Sequence, residues 1–140
     1  MADAVASQTI FDGERMAIQK FTNISDGTGE NKVLKVDVSA LLPNNLGVPC
    51  SSVTITKIHA STHGLEVLMY WDATTDVFIQ GIPQNSQYSF DFEKFGGLTN
   101  NAGSGKTGDI LFSTQDASAG DFYTVTLEMV KYYANPFSTL

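Results

Sequence analysis

The stretch from Val53 to Ile82, VTITKIHASTHGLEVLMYWDATTDVFIQGI, decides the fold class of this chain. It contains three short runs rich in β-branched and aromatic residues, a composition typical of strands: Val53–Ile58, Leu65–Trp71 and Val77–Ile82. In the middle run apolar residues occupy both parities, a pattern typical of a strand buried on both faces. We therefore predict that Leu65–Trp71 lies at the centre of a sheet, with the only tryptophan, Trp71, as a core anchor.

Further strand patterns lie on both sides of this stretch. The connections between strands, with His59–Gly64 and Asp72–Asp76 among them, are rich in residues that favour turns. Counting these patterns gives about eight strands in all, which predicts an all-β protein, a two-sheet antiparallel β-sandwich that is jelly-roll-like. Besides the three runs above, the predicted strands are Arg15–Ile24, Lys32–Val38, Tyr88–Phe92, Gly108–Thr114 and Phe122–Tyr133.

The chain is predicted to form one folded domain with a tail at each end. Residues 1–14 lack a strand or helix pattern and are predicted to form an extended N-terminal arm, and residues 134–140 a C-terminal tail. The β-sandwich domain then spans residues 15–133. An immunoglobulin-like sandwich is the alternative fold, although the lone Cys50 cannot supply the cysteine pair that marks such domains. A single cysteine also favours synthesis in a reducing compartment.

Charge and targeting signals narrow the function classes. The 140 residues include 8 Lys and Arg against 15 Asp and Glu, a formal net charge of -7, and the basic residues are scattered along the chain. Such a surface repels nucleic acid and anionic membranes. The first residues show no signal-peptide pattern, and no apolar run reaches the roughly 18 residues of a membrane helix. We expect neither nucleic acid nor a membrane as a partner.

Three motifs resemble catalytic or metal sites, and each lacks an essential part. Gly103–Thr107 resembles a phosphate-binding loop but lacks its first glycine and precedes a strand instead of a helix. Asp72 and Asp76 lie in one short loop, where capping of turns is the ordinary role of aspartate. His59 and His63 have the spacing of zinc ligands on a helix but lie in a strand context. We expect no catalytic residue, no metal and no cofactor.

Aromatic residues and polar loops are the remaining candidates for binding. The aromatic face of Tyr88–Phe92 is predicted to fill the core, whereas the adjacent residues Tyr132 and Tyr133 point to opposite faces, so at least one is exposed. Thr99–Gly108 is the longest polar loop, and loops of this kind often make contacts. The predicted protein-contact residues are Thr9, Ile10, Phe11, Asn100, Asn101, Lys106, Tyr132, Tyr133 and Phe137.

Several segments, taken together and in this order, resemble a family of small virion structural proteins from tailed bacteriophages. They are Lys35–Leu41 (KVDVSAL), Tyr70–Asp76 (YWDATTD), Gly96–Leu98 (GGL), Thr107–Thr114 (TGDILFST) and Tyr123–Leu127 (YTVTL). The likeness runs over most of the chain from about residue 20 onward. The ends and the loops at 43–49 and 59–64 depart from the family pattern.

The resemblance implies a non-enzymatic component of the virion. Its leading form is a capsid decoration or cement protein that is made in the host cytoplasm, binds the outer capsid surface and bridges subunits of the major capsid protein. A homo-oligomer such as a trimer on the capsid is compatible with this role. Two alternatives stay open: a structural protein of the tail, neck or baseplate, and a carbohydrate-binding module that uses exposed tyrosines.

Overall fold

The computed structural model describes residues 3–133, which contain nine β-strands and two short 3₁₀ turns, at Val38–Ala40 and Glu93–Phe95. No helix among these residues is long and apolar enough to cross a membrane. The strand bounds are Ala4–Asp12 (β1), Met16–Ile24 (β2), Val33–Val36 (β3), Cys50–His63 (β4), Glu66–Trp71 (β5), Val77–Ile82 (β6), Gln87–Asp91 (β7), Ile110–Gln115 (β8) and Phe122–Tyr133 (β9).

The strands form two antiparallel sheets packed face to face. The five-stranded sheet has the order β1-β2-β9-β4-β7, and the four-stranded sheet has the order β3-β8-β5-β6. Strands β2 to β9 are divided between the sheets, β2-β9-β4-β7 against β3-β8-β5-β6, in the order of an eight-stranded jelly roll. The predicted all-β, two-sheet, jelly-roll-like sandwich is therefore confirmed, and β1 is an additional strand beside β2.

The core lies between the two sheets and is centred on β5. Leu65 and Trp71 are buried, and β5 runs between β8 and β6, so the predicted central strand and core anchor are confirmed. The expectation that this strand is buried on both faces is wrong, since Leu68 and Tyr70 are half-exposed on the outer face. The outer face of β8 in the same sheet is covered, since Leu111 and Ser113 are buried there as well as Ile110 and Phe112 on the inner face.

Strand β4 is much longer than its sequence pattern indicates. His59–Gly64 was predicted to be a connection, but the strand continues to His63 and pairs with both β9 and β7. Ile58, Ala60 and Thr62 point into the core, and the alternate residues between them point outward. Because the inward and outward residues of this segment differ little in polarity, the sequence does not show the alternation typical of a strand. The turn comes at Gly64, whose φ of 77° is a conformation that glycine adopts without strain.

The aromatic face of β7 fills the core only in part. Phe90 and Phe92 pack against the core and stack on each other, with ring centroids 6.0 Å apart. Tyr88, stacked on Phe90, stays 44% exposed. Because β7 is the last strand of its sheet, the smaller opposing sheet covers this ladder incompletely.

The structure corrects the prediction of an extended N-terminal arm. Ala4–Asp12 is not an unstructured arm but strand β1, paired antiparallel with β2 from Ala4 opposite Ile24 to Asp12 opposite Ala17, with a bulge between Thr9 and Phe11. Its residues from Ala4 to Phe11 are exposed, so it has no buried face to impose an alternating pattern on the sequence. The predicted tail at 134–140, including Phe137, lies outside the described residues.

Candidate docking surface

Strand β1 projects beyond the body of the sandwich. It belongs to a sheet of five strands, whereas the sheet packed against it has four, so within residues 3–133 no strand lies opposite β1. Val5 shows the consequence: it lies on the inner face, opposite the fully buried Asn23, yet it is 49% exposed. Both faces of β1 and its free edge therefore meet solvent.

The free edge of β1 lacks the features that protect sheet edges. Native edge strands are usually short, or carry charges or prolines, because an open row of backbone N–H and C=O groups pairs readily with another chain. Strand β1 is nine residues long, and from Ala4 to Phe11 its sequence AVASQTIF contains neither a charge nor a proline. The bulge next to Ile10 is its single irregularity. This edge is chemically suited to pair with another strand.

A buried ion pair anchors the C-terminal end of β1. Lys131 of β9 has a fully buried side chain, and its Nζ lies 2.5 Å from Oδ1 of Asp12. The ammonium also donates to the carbonyl oxygens of Gly13 (2.9 Å) and Leu42 (2.8 Å). Burial alone would lower the pKa of Lys131, but the hydrogen bonds to Asp12 and Tyr133 outweigh it and raise that pKa above its ordinary value.

A second anchor holds the N-terminal end of β1. One carboxylate oxygen of Asp3 accepts a hydrogen bond from the side-chain amide of Asn23 (3.1 Å), and the other accepts one from the backbone N–H of Asp26 (3.1 Å). Asn23 is completely buried, so this contact ties the start of β1 to the core. The strand is thus fixed at both ends, with its uncharged middle exposed between them.

An apolar hollow lies on the outer face at the N-terminal half of β1. The small side chains of Ala4 and Ala6 form its floor, and the larger Ile24 and Phe122 on the neighbouring strands stand beside them. The hollow has a volume of about 510 Å³. Ile24 is 57% exposed and Phe122 is 40% exposed, so a sizeable apolar surface is left uncovered next to the open edge.

A separate groove collects three of the predicted contact residues. Asn100, Lys106 and Tyr132 line a groove of about 410 Å³ together with hydroxyl groups from the start of β4. Nδ2 of Asn100 is buried and has no hydrogen-bond partner among the described residues, whereas its Oδ1 accepts from the backbone N–H of Ala102 (2.9 Å). Of the described residues that line this groove, none is acidic. It therefore offers hydrogen-bond donors, one ammonium group and the half-exposed ring of Tyr132.

The other predicted contact residues are divided between different places. Thr9, Ile10 and Phe11 lie on the exposed part of β1. Asn101 lines a different, smaller depression from the one shared by Asn100 and Lys106. Tyr133 is held within the protein, since its hydroxyl donates to the backbone carbonyl of Glu14 and its ring lies 5.5 Å from the ammonium of Lys131.

Sequence reasoning missed several residues of the docking surface. Ala4, Ala6 and the anchoring Lys131 had no recognisable signal, because an ion pair between residues 119 positions apart leaves no local pattern. Ile24 and Phe122 had a signal that could have found them. Each is a large apolar residue at the end of an alternating strand, on the parity opposite to the core residues.

The histidines and aspartates singled out in the sequence have local structural partners. Nε2 of His59 lies 2.7 Å from Oε2 of Glu128, whereas His63 stacks on Phe122 with ring centroids 5.3 Å apart, so the two imidazoles do not converge. Asp76 accepts a hydrogen bond from the backbone N–H of Ala73 (3.0 Å), and this bond lowers the pKa of its carboxyl. Within residues 3–133 no cluster of three or more potential metal ligands is present.

Comparisons with known proteins give weak likenesses. No protein-family description and no curated protein matches the chain. Among solved structures, a cupin superfamily protein from Desulfitobacterium hafniense matches with a TM-score of 0.35 and 11% identity, over 94% of this chain and 80% of that one. A mutant of a family 29 carbohydrate-binding module matches with a TM-score of 0.39 and 8% identity, over 96% of this chain and 99% of that one.

Proposed function

We propose that this protein is a non-enzymatic structural component of a phage virion, a decoration or cement protein that binds the outer surface of the capsid and bridges major capsid protein subunits. The observation that carries this proposal is β1. A nine-residue strand, uncharged through its middle, anchored at both ends and open to solvent on both faces, is suited to association with another chain. The resemblance of the ordered sequence segments to virion proteins supplies the biological setting.

The mechanism is stabilisation by binding. Strand β1 adds to the sheet of a neighbouring chain in the particle, and the loop containing Asn100 and Lys106 contributes contacts to the capsid surface. A protein attached across a junction between subunits stabilises the assembled state that it prefers. Strand pairing suits this task, because main-chain hydrogen bonds supply affinity and the side chains on each face supply selectivity. No reaction step is required.

A matched pair of edge variants tests the attachment. Ser7→Lys places a charge in the middle of β1, and Ser89→Lys places the same charge on β7, the opposite edge of the same sheet. Both serines are exposed, so neither change disturbs the core. In particles assembled with each variant, occupancy should fall at least about tenfold for Ser7→Lys and stay near wild type for Ser89→Lys. Equal occupancy for both variants would remove β1 from the mechanism.

Electron microscopy of the intact particle tests the location. A decoration protein occupies many symmetric positions on the head, whereas a component of the tail, neck or baseplate is present in few copies. We expect density for this sandwich on the outer capsid surface, with β1 in contact with another protein chain. Density confined to the tail would contradict the decoration role and favour the alternative within the virion.

The groove at Tyr132 favours carbohydrate binding as a second candidate function. A half-exposed aromatic ring next to hydroxyl groups, a buried amide donor without a partner and Lys106 could hold an acceptor-rich or carboxylated sugar. A glycan-binding screen with Tyr132→Ala tests this candidate, and Tyr88→Ala, an exposed tyrosine on the other edge, is the matched control. Binding lost only in Tyr132→Ala supports the candidate, and absence of wild-type binding contradicts it.

A further inference from the structure

We infer that the chain that pairs with β1 is a second copy of this protein: two β1 strands pair antiparallel across a two-fold axis and join two five-stranded sheets into one of ten strands. This inference rests on the proposed function, because it names the chain that pairs with the same open edge. It can be wrong while the proposed function is correct. In such a dimer, the loop that contains Asn100 and Lys106 on each copy contacts the capsid.

The charge pattern of β1 allows self-pairing. The uncharged residues of the strand are flanked by Asp3 at one end and Asp12 at the other. In an antiparallel pair centred near Ser7 or Gln8, the uncharged middles of the two strands face each other, and Asp3 of each copy comes close to Asp12 of the other; Asp3 already accepts hydrogen bonds from Asn23 and from the backbone N–H of Asp26 in its own chain. Asp12 is also paired with Lys131 of its own chain.

The shape of β1 is self-complementary as well. Its N-terminal half carries the small residues Ala4 and Ala6 at the apolar hollow, whereas its C-terminal half carries the large, 51% exposed Ile10 and Phe11. Antiparallel pairing brings the C-terminal half of each strand beside the N-terminal half of the other. Ile10 and Phe11 of each copy then lie next to the hollow of its partner and cover its apolar surface.

A two-fold pair also resolves the problem of the open edge. Head-to-tail addition of strands leaves a free edge after every step and leads to open filaments, whereas an isologous pair uses both free β1 edges and closes. The other edge of the same sheet, β7, is short, with five residues, so it does not repeat the interaction. The expected product is a dimer and not a fibre.

Cross-linking with a short bis-maleimide tests the geometry. Ser7→Cys and Gln8→Cys place thiols near the proposed axis, and Ser89→Cys places one on the β7 edge as a control. The wild type reports any background from the buried Cys50. We expect a covalent dimer at least about fivefold more abundant for one of the β1 variants than for Ser89→Cys, since only residues close to the axis bring two copies of one thiol together. Equal yields from both edges would overturn the inference.

Sedimentation of the full-length protein gives an independent readout. The wild type should shift from monomer to dimer as its concentration rises. Ser7→Lys and Ala6→Trp should each raise the dissociation constant of the dimer at least about tenfold. Ser89→Lys should leave that constant unchanged. A wild type that stays monomeric at about 1 mM overturns self-pairing. Should Ser7→Lys still lose capsid occupancy in that case, the decoration role stands with a different partner at β1. Should the dimer form while intact particles lack the protein, the decoration role fails and the dimer stands.

Discussion

The two edges of the five-stranded sheet are built in opposite ways. Strand β7 is five residues long, Phe90 on its inner face packs against the core, and the chain beyond it turns back, with the N–H of Phe92 donating to the carbonyl of Thr56 (2.8 Å). Strand β1 is nine residues long, makes no comparable contact with the core and stays open along its edge. Strand β7 exposes a short edge, whereas β1 exposes a long, uncharged edge of the kind that pairs readily with another strand.

The two edges are expected to have different roles, β7 in the stability of the fold and β1 in association with another chain. Strand β7 belongs to the eight-stranded jelly roll and contributes to its core, whereas β1 lies outside that unit and is joined to it by one ladder and two polar anchors. Changes to the core-facing Phe90 of β7 should therefore affect folding of the isolated chain. Changes in the middle of β1 should affect association while leaving the fold in place.

The largest effect is expected at the anchor of β1. Lys131→Met leaves Asp12 and the carbonyls of Gly13 and Leu42 without their buried donor, which should lower the free energy of unfolding by about 3 kcal/mol. The matched change near β7 is Lys57→Met, where a partly exposed pair with Glu93 at 3.7 Å is lost and we expect no more than about 0.5 kcal/mol. Urea unfolding of both variants measures the difference.

The same anchor has a defined pH dependence. Because the folded-state pKa of Lys131 is raised, its contribution to stability is fully present below its unfolded value, about 10.4, and is lost as the pH rises through the folded value. The wild type should keep this contribution at neutral pH. Equal unfolding free energies for Lys131→Met and Lys57→Met at pH 7 would contradict the anchoring role of the buried lysine.

A smaller effect is expected from truncating one phenylalanine on each edge. Phe90→Ala on β7 removes a half-buried ring from the margin of the core and should lower the free energy of unfolding by about 2 kcal/mol. Phe11→Ala on β1 removes a ring that is 51% exposed and should lower it by less than about 1 kcal/mol in the monomer. Thermal unfolding at low protein concentration measures the loss of stability in both variants. A larger loss for Phe11→Ala than for Phe90→Ala would contradict the distinction between the two edges.

A small and local effect is expected at the other anchor of β1. Asp3→Ala leaves the buried side-chain amide of Asn23 without this acceptor and should lower the free energy of unfolding by about 1 kcal/mol. The loss should also be local, with faster amide hydrogen exchange at the start of β1 and little change in β7. Faster exchange spread evenly over both edges would show that Asp3 supports the whole fold instead of one strand.

Sequence periodicity predicted the strands that bury one face. Such a period marks β9, with Tyr123, Val125 and Leu127 on its buried face, whereas β5 was predicted from its apolar, β-branched and aromatic composition and wrongly expected to be buried on both faces. Strand β1 could not, because a strand exposed on both faces is under no pressure to alternate. Its sequence therefore looks like that of an unstructured arm.

Long-range polar contacts were beyond sequence reasoning. Lys131 continues the inward parity of Tyr123 and Val125, but a lysine at the end of a strand ordinarily points to solvent. Its burial depends on Asp12, which only the folded topology brings beside it. The buried pair of Glu30 and Lys35, 2.6 Å apart, is different, because it joins residues close in sequence.

Hydrogen exchange of backbone amides over a concentration series tests the central claim most directly. From roughly 1 μM to 1 mM protein, peptides covering Ala4–Asp12 should gain protection as the open edge of β1 acquires a partner strand, and peptides covering Gln87–Asp91 should not change. Protection that appears at β7, or at neither edge, would contradict the account of β1 as the edge built for association.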